Sequence, residues 1–183
     1  KFGGTSVGSV NSILSVKKIV EAIEEPVIVV VSALGGITDK LLATSSMAAK
    51  GDVGYEREFS EIITRHLDVI QGVIPDKMQR IEVQKKVMSL LDELGNIFKG
   101  VYLINDLSAK TSDTIVSYGE RLSSGIVAAV LEGSRLYDAR EFIRTKTDFG
   151  KHIAEPDLTE KLIRERLADR PRVSVVPGFI ASD

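Results

Sequence analysis

The chain has 183 residues, of which 43% are hydrophobic and 27% charged, with a formal net charge of −2 and no cysteine. That is the profile of one soluble globular domain with a real core. It excludes a disulfide framework, a thiol nucleophile and cysteine-ligated metal, and the lack of a basic excess argues against a nucleic-acid partner. The longest apolar run, around Pro26–Leu34, is far short of a membrane span.

Lys1-Phe2 reads as the end of a strand and Gly3-Gly4-Thr5-Ser6-Val7-Gly8 as a loop. The chain opens at Lys1 without a Met, so residues are expected before it. A helix follows, with Ile13, Val16, Val20 and Ile23 on one face, Ser9 or Asn11 as cap and Pro26 as breaker. Val27–Val31 is a β-branched run that suits a strand buried on both faces of a parallel sheet. Gly35-Gly36 ends it, and a helix runs from Thr38 through about Ala49.

From Glu56 to Phe98 the sequence shows amphipathic helix and no strand. Phe59, Ile62, Ile63, Leu67 and Ile70 form one apolar face. Met78, Ile81, Val87, Leu90, Leu91, Leu94 and Ile97 form another after a break at Pro75, and Gly100 is expected to end it. A further helix is predicted over Asp113–Glu132, a short strand over Arg135–Asp138, a helix over Asp157–Leu167 and a strand over Arg172–Val176, closed by Pro177-Gly178. The pattern is that of a three-layer α/β/α sandwich with a mainly parallel sheet and a helical insertion over about 56–110.

Three segments carry candidate chemistry. Lys1, with the glycine turn Gly3-Gly4 and the hydroxyls of Thr5 and Ser6, places a cation and backbone N–H groups where an anion could sit. The spacing fits neither G-x-x-x-x-G-K-[ST] nor G-x-G-x-x-G, and a plain strand-to-helix turn explains it about as well. Ser32 and Thr38 flank a second glycine turn at the carboxyl edge of the predicted sheet, where ligands of open α/β folds bind; Thr38 could equally be only a helix cap. Gly119-Glu120 interrupts a helix. Glu120 could receive an ammonium group, or it could be an exposed helical glutamate in a surface ion pair. His66 and His152 have no partner at metal-ligand spacing, and no metal site is predicted. Asp148-Phe149-Gly150 matches the D-F-G triplet of protein kinases, but no H-R-D loop precedes it.

Taken in order, Lys1-Phe2-Gly3-Gly4-Thr5-Ser6, Val31-Ser32-Ala33 with Gly36-Ile37-Thr38, and Gly119-Glu120-Arg121-Leu122-Ser123 resemble the aspartate kinase family, within the wider amino acid kinase fold. Asp138-Ala139-Arg140, Thr147-Asp148-Phe149-Gly150 and Pro177-Gly178-Phe179-Ile180 extend the resemblance over nearly the whole chain.

The resemblance implies transfer of the γ-phosphoryl group of ATP, with Mg2+ carried by the nucleotide, to the β-carboxylate of L-aspartate. It implies that Lys1 stabilises the moving phosphoryl group and that Gly3, Gly4, Thr5 and Ser6 hold phosphates. Ser32, Thr38, Glu120 and Phe179 would contact aspartate. A cytoplasmic homo-oligomer with no nucleic-acid or membrane partner is the accompanying expectation. The family's G-R-x-G-S-D segment does not occur before Asp183. The fold is therefore expected to be incomplete here, without the nucleotide-base half and regulatory domains, and inactive as this chain alone. A kinase for another carboxylate, such as acetylglutamate, and a non-catalytic anion- or amino-acid-binding module remain alternatives.

Overall fold

The computed structural model describes residues 1–148 and 151–183. Phe149 and Gly150, the end of the Thr147–Gly150 motif, lie outside the described residues. The sheet at the centre is parallel. Strand β5 (Val173–Pro177) lies between β1 (Val27–Val31) and the two-residue β2 (Arg135–Leu136). Phe2 adds one parallel bridge beyond β1: its N–H donates to the Val30 carbonyl (2.8 Å) and its carbonyl accepts from Ser32 (3.1 Å).

In the β1–β5 register Val29 faces Val175 and Val27 faces Val173, so one face of the sheet is a block of valines. These join the main core together with Val20 of α1 (Val10–Glu21) and Leu122 and Ile126 of α5 (Ala109–Val130). The opposite face carries a smaller core of Ala139, Phe142, Val176 and Ile180, against which Leu162 and Ile163 of α6 (Pro156–Arg166) pack. Helix, sheet and helix make the three layers.

β1 departs from the sequence expectation of burial on both faces. Val29 and Val31 are buried, but Ile28 is 43% exposed. It opens onto a groove of about 350 Å³ beside Ile163 and Leu167, because α6 covers only part of that face.

The insertion is two antiparallel-patterned helices, α3 (Tyr55–Val73) and α4 (Lys77–Ile104), broken at Ile74-Pro75. They pack on α2 (Ile37–Ala49) and α5. Gly100 does not end α4. The helix runs on to a left-handed Asn105 (φ 50°), because Val101 is buried on the same stripe as Leu94 and Phe98 and burial outweighs the weak helix propensity of glycine. α5 begins earlier than Asp113, at the Ser108 cap, whose side chain accepts from the Thr111 N–H (3.1 Å). Ser9 is the cap of α1, in a reciprocal box with Ser12. One pairing is absent from the sequence reading: β3 (Thr145–Asp148) runs antiparallel to β4 (Lys151–Ala154). No described helix is long and apolar enough to cross a membrane.

Candidate functional site

Strands β1 and β5 end side by side, and both carry on into tight turns. The Gly178 N–H donates to the Val31 carbonyl (2.7 Å), which draws the turn after β5 against the turn after β1. The N-terminal loop lies on the same edge, since Phe2 bridges Val31. Parallel strands that stop together leave a crevice at their carboxyl edge. Here the crevice is a cavity of about 370 Å³ lined by residues that include Lys1, Gly4, Ser32, Thr38, Glu120 and Phe179. Segments as far apart as Lys1 and Phe179 are thus brought to one place.

The turn after β1 owes its shape to Gly36, which stands at φ 81°, a conformation that side chains rarely adopt. Gly36 is also the N-cap of α2. Thr38 is therefore inside the helix rather than its cap, and its reading as a cap alone does not hold.

α5 crosses above this turn in close contact. A Cβ on Gly119 would lie 2.9 Å from the Ala33 Cβ, so only glycine permits this approach. The approach buries Glu120 to 5% exposure, which removes its reading as a surface ion pair. Its Oε1 accepts a hydrogen bond from the Ala33 N–H (3.3 Å), and its Oε2 has no partner among the described residues. Burial pushes the Glu120 carboxyl above the usual carboxylate range, and the Ala33 N–H opposes the shift. An acceptor buried this way lacks a donor, and an ammonium group is the donor that also returns it to the charged form.

The N-terminal loop is tighter than an open anion nest. Gly4–Val7 forms a 3-10 turn in which the N–H groups of Ser6 and Val7 donate to the Gly3 carbonyl (2.9 and 3.2 Å). Those two donors are thereby engaged within the chain. Gly3, Thr5 and Ser6 are not among the residues that line the cavity, whereas Lys1 and Gly4 are. Thr5 is exposed.

Phe179 reaches the cavity's rim, 97% exposed and with its backbone in the left-handed region (φ 60°). That conformation is uncommon for a bulky residue.

Sequence reasoning missed two contributors. Asp39, in the first turn of α2, lines the cavity beside Thr38; its position one residue past Thr38 was the available signal. Ser123 is fully buried and donates to the Ser32 carbonyl (2.7 Å), across 91 residues of sequence that no local pattern spans.

The amino acid kinase family model matches residues 1–183. Aspartokinase 1, chloroplastic, of Arabidopsis thaliana is 31% identical over 191 residues, which is 98% of this chain and 32% of that protein. Lysine-sensitive aspartokinase 3 of Escherichia coli (strain K12) is 27% identical over 195 residues, covering all of this chain and 40% of its own length. The crystal structure of E. coli aspartokinase III in complex with aspartate and ADP superposes with a TM-score of 0.82 at 23% identity, over 100% of this chain and 40% of that one. The same enzyme with lysine and aspartate gives 0.85. The chain thus spans about a third of the first of these relatives and two fifths of the second. The parallel sheet, the crevice at its carboxyl edge and the match along all 183 residues lead to one statement of kinship: the chain belongs to the amino acid kinase family.

Proposed function

We propose that the cavity is the amino-acid side of an aspartate kinase site. In the intact protein it holds L-aspartate while the γ-phosphoryl group of ATP passes to the β-carboxylate. The observation that carries this reading is Glu120. It is a buried carboxylate with one oxygen unpartnered, set in a cavity that also holds a lysine and two hydroxyl-bearing residues. The similarity to aspartokinases, one of them solved with aspartate and ADP, supports the choice of substrate.

The chemistry asks little covalent work of the protein. The β-carboxylate of aspartate is ionised at neutral pH, so no general base is needed. One of its oxygens attacks the γ-phosphorus as the bond to the β-phosphate oxygen breaks, which yields an acyl phosphate and ADP. Catalysis then rests on positioning and charge neutralisation. Glu120 takes the α-ammonium, Ser32 and Thr38 offer hydroxyls to the carboxylates, and Phe179 stands at the rim. Lys1, with Gly4 beside it, balances the negative charge on the moving phosphoryl group. Gly3, Thr5 and Ser6 contribute through the shape of the 3-10 turn. Mg2+ carried by the nucleotide would lower the charge of its phosphates.

The test is hydroxylamine trapping of the acyl phosphate, coupled to ADP release, in the intact protein. L-Aspartate should be turned over and N-acetyl-L-aspartate, which lacks the ammonium, should not. Lys1→Ala should lower kcat by about a hundredfold or more, the usual loss of a preorganised charge partner. Equal use of the acetylated substrate would overturn the role of Glu120 and favour a kinase for an N-acylated amino acid.

A further inference from the structure

One peptide group beneath the cavity is held at both ends by a single turn of α5. The Ser32 carbonyl accepts from Ser123 Oγ (2.7 Å), and the N–H of the same peptide, on Ala33, donates to Glu120 Oε1 (3.3 Å). Ser123 Oγ also lies 3.2 Å from the Glu120 carbonyl, and the Ser123 side chain is fully buried. Gly119, in the same turn, brings the helix this close. The peptide plane cannot rotate without breaking both bonds. The bond it gives to Oε1 leaves Oε2 as the open acceptor of Glu120.

We propose that Ser123 is a positioning residue of this site: through the Ser32–Ala33 peptide it fixes the direction in which the Glu120 carboxylate meets its ligand. The inference deepens the aspartate kinase reading and rests on it for the ligand's identity. Its physical core does not. A hydroxyl that clamps the carbonyl end of a peptide also steadies the N–H end, because the peptide is planar. Without that hydroxyl, the partly buried Ser32 carbonyl has lost its donor and the peptide turns to recover one. The hydrogen bond to Oε1 then weakens.

Two consequences separate this role from a merely structural one. Glu120 loses one of the two backbone N–H groups that stabilise its charged form, so its carboxyl titrates at higher pH. The cationic end of the substrate also meets a disordered acceptor, so binding suffers more than turnover. The charged groups that share the cavity are Lys1, from the N-terminal segment, and Asp39, from α2. Arg121, the next residue on α5, is turned away onto the Tyr118 ring (4.3 Å) and toward Glu93 (3.6 Å).

The experiment titrates 13C-carboxyl-labelled glutamate in the intact, ligand-free protein, with the Glu120 signal assigned by its loss in Glu120→Gln. Ser123→Ala should move the midpoint to higher pH. In the coupled assay it should raise KM for L-aspartate roughly fivefold to tenfold and change kcat less than twofold, the size of one lost hydrogen bond. Ile126→Val, buried on the same helix, should leave the midpoint in place although it also loosens the core. If the alanine variant does not fold, Ser123→Cys, of similar size and a weaker donor, carries the same expectation. An unmoved midpoint overturns the proposal. A moved midpoint in a protein that fails to phosphorylate aspartate keeps the role of Ser123 and overturns the aspartate reading.

Discussion

Glu120 answers two opposed demands. Burial disfavours its charge while the site needs that charge for a cationic ligand. Its folded-state pKa lies above the unfolded one. Its contribution to stability is therefore fully present below the unfolded value near 4.5 and is lost as pH rises through the folded value. Above that folded value the free protein carries the burden of a buried carboxylate whose Oε2 is without a partner among the described residues. Glu120→Gln removes that charge and keeps the shape. The expected result is a ligand-free melting temperature equal to or above that of the wild type, together with a KM for aspartate raised at least about tenfold. A stability loss with unchanged KM would mark the residue as structural.

His66 poses the reverse case. It is 0% exposed on α3, its Nδ1 lies 2.7 Å from the Ile62 carbonyl, and its Nε2 has no partner among the described residues. Burial holds its pKa below the ordinary 6.5. In the unfolded chain the ring takes up a proton as pH falls through about 6.5, while the folded protein resists. Stability from this group is thus complete above pH 6.5 and declines below it. Urea unfolding measured from pH 7.5 to 5 should show that decline, and His66→Leu should flatten it.

Among the elements, the helical glycines separate local preference from packing. Gly100 in α4 and Gly125 in α5 have nothing within 4 Å of the place a Cβ would occupy. Alanine at either position should stabilise the protein by up to about 1 kcal/mol. Gly119→Ala gains the same propensity but forces a methyl to 2.9 Å from the Ala33 Cβ. Overpacking of that kind typically costs about 1–3 kcal/mol, so the substitution should be net destabilising and should disturb the turn that holds Ser32 and Ala33. Thermal melts of the three variants order them. The insertion also bears on the site. Lys40 of α2 is paired with Glu58 (3.0 Å) and Glu61 of α3, and Arg65 of α3 donates to the Gly8 carbonyl. Helix α3 therefore braces α2 and the N-terminal loop, although largely solvated pairs of this type contribute little stability each.

For the whole molecule, β5 is the strand on which both cores rest. All five of its residues are buried, whereas β1 is open at Ile28. Val175→Ala should cost about 2 kcal/mol or more, since its neighbours on either side are fixed by the sheet and cannot close the void. Ile28→Ala, at the partly open groove, should cost less than about 1 kcal/mol. Comparable losses in chemical denaturation would mean that the groove is covered in the intact protein.

Much of this was written locally. Val27–Val31 read as a strand, the stripes on either side of Pro75 read as paired helices, and glycine turns at strand ends suggested a candidate site at the sheet's carboxyl edge. Period and breaker are short-range properties, readable without knowing what packs where. The Thr145–Ala154 pair escaped because neither Thr145–Asp148 nor Lys151–Ala154 carries the alternation or the apolar run by which a strand is read. Gly100 misled because propensity is a weak prior beside a buried stripe.

The burial of Glu120 and its bond to Ala33, 87 residues away, were decided only by the tertiary structure. So was the bond from Ser123 to Ser32. The sequence determined which residue types were present and which elements would carry them. Whether a helical glutamate is a solvated surface charge or a buried acceptor depends on how closely another segment approaches it. That distance is a property of packing.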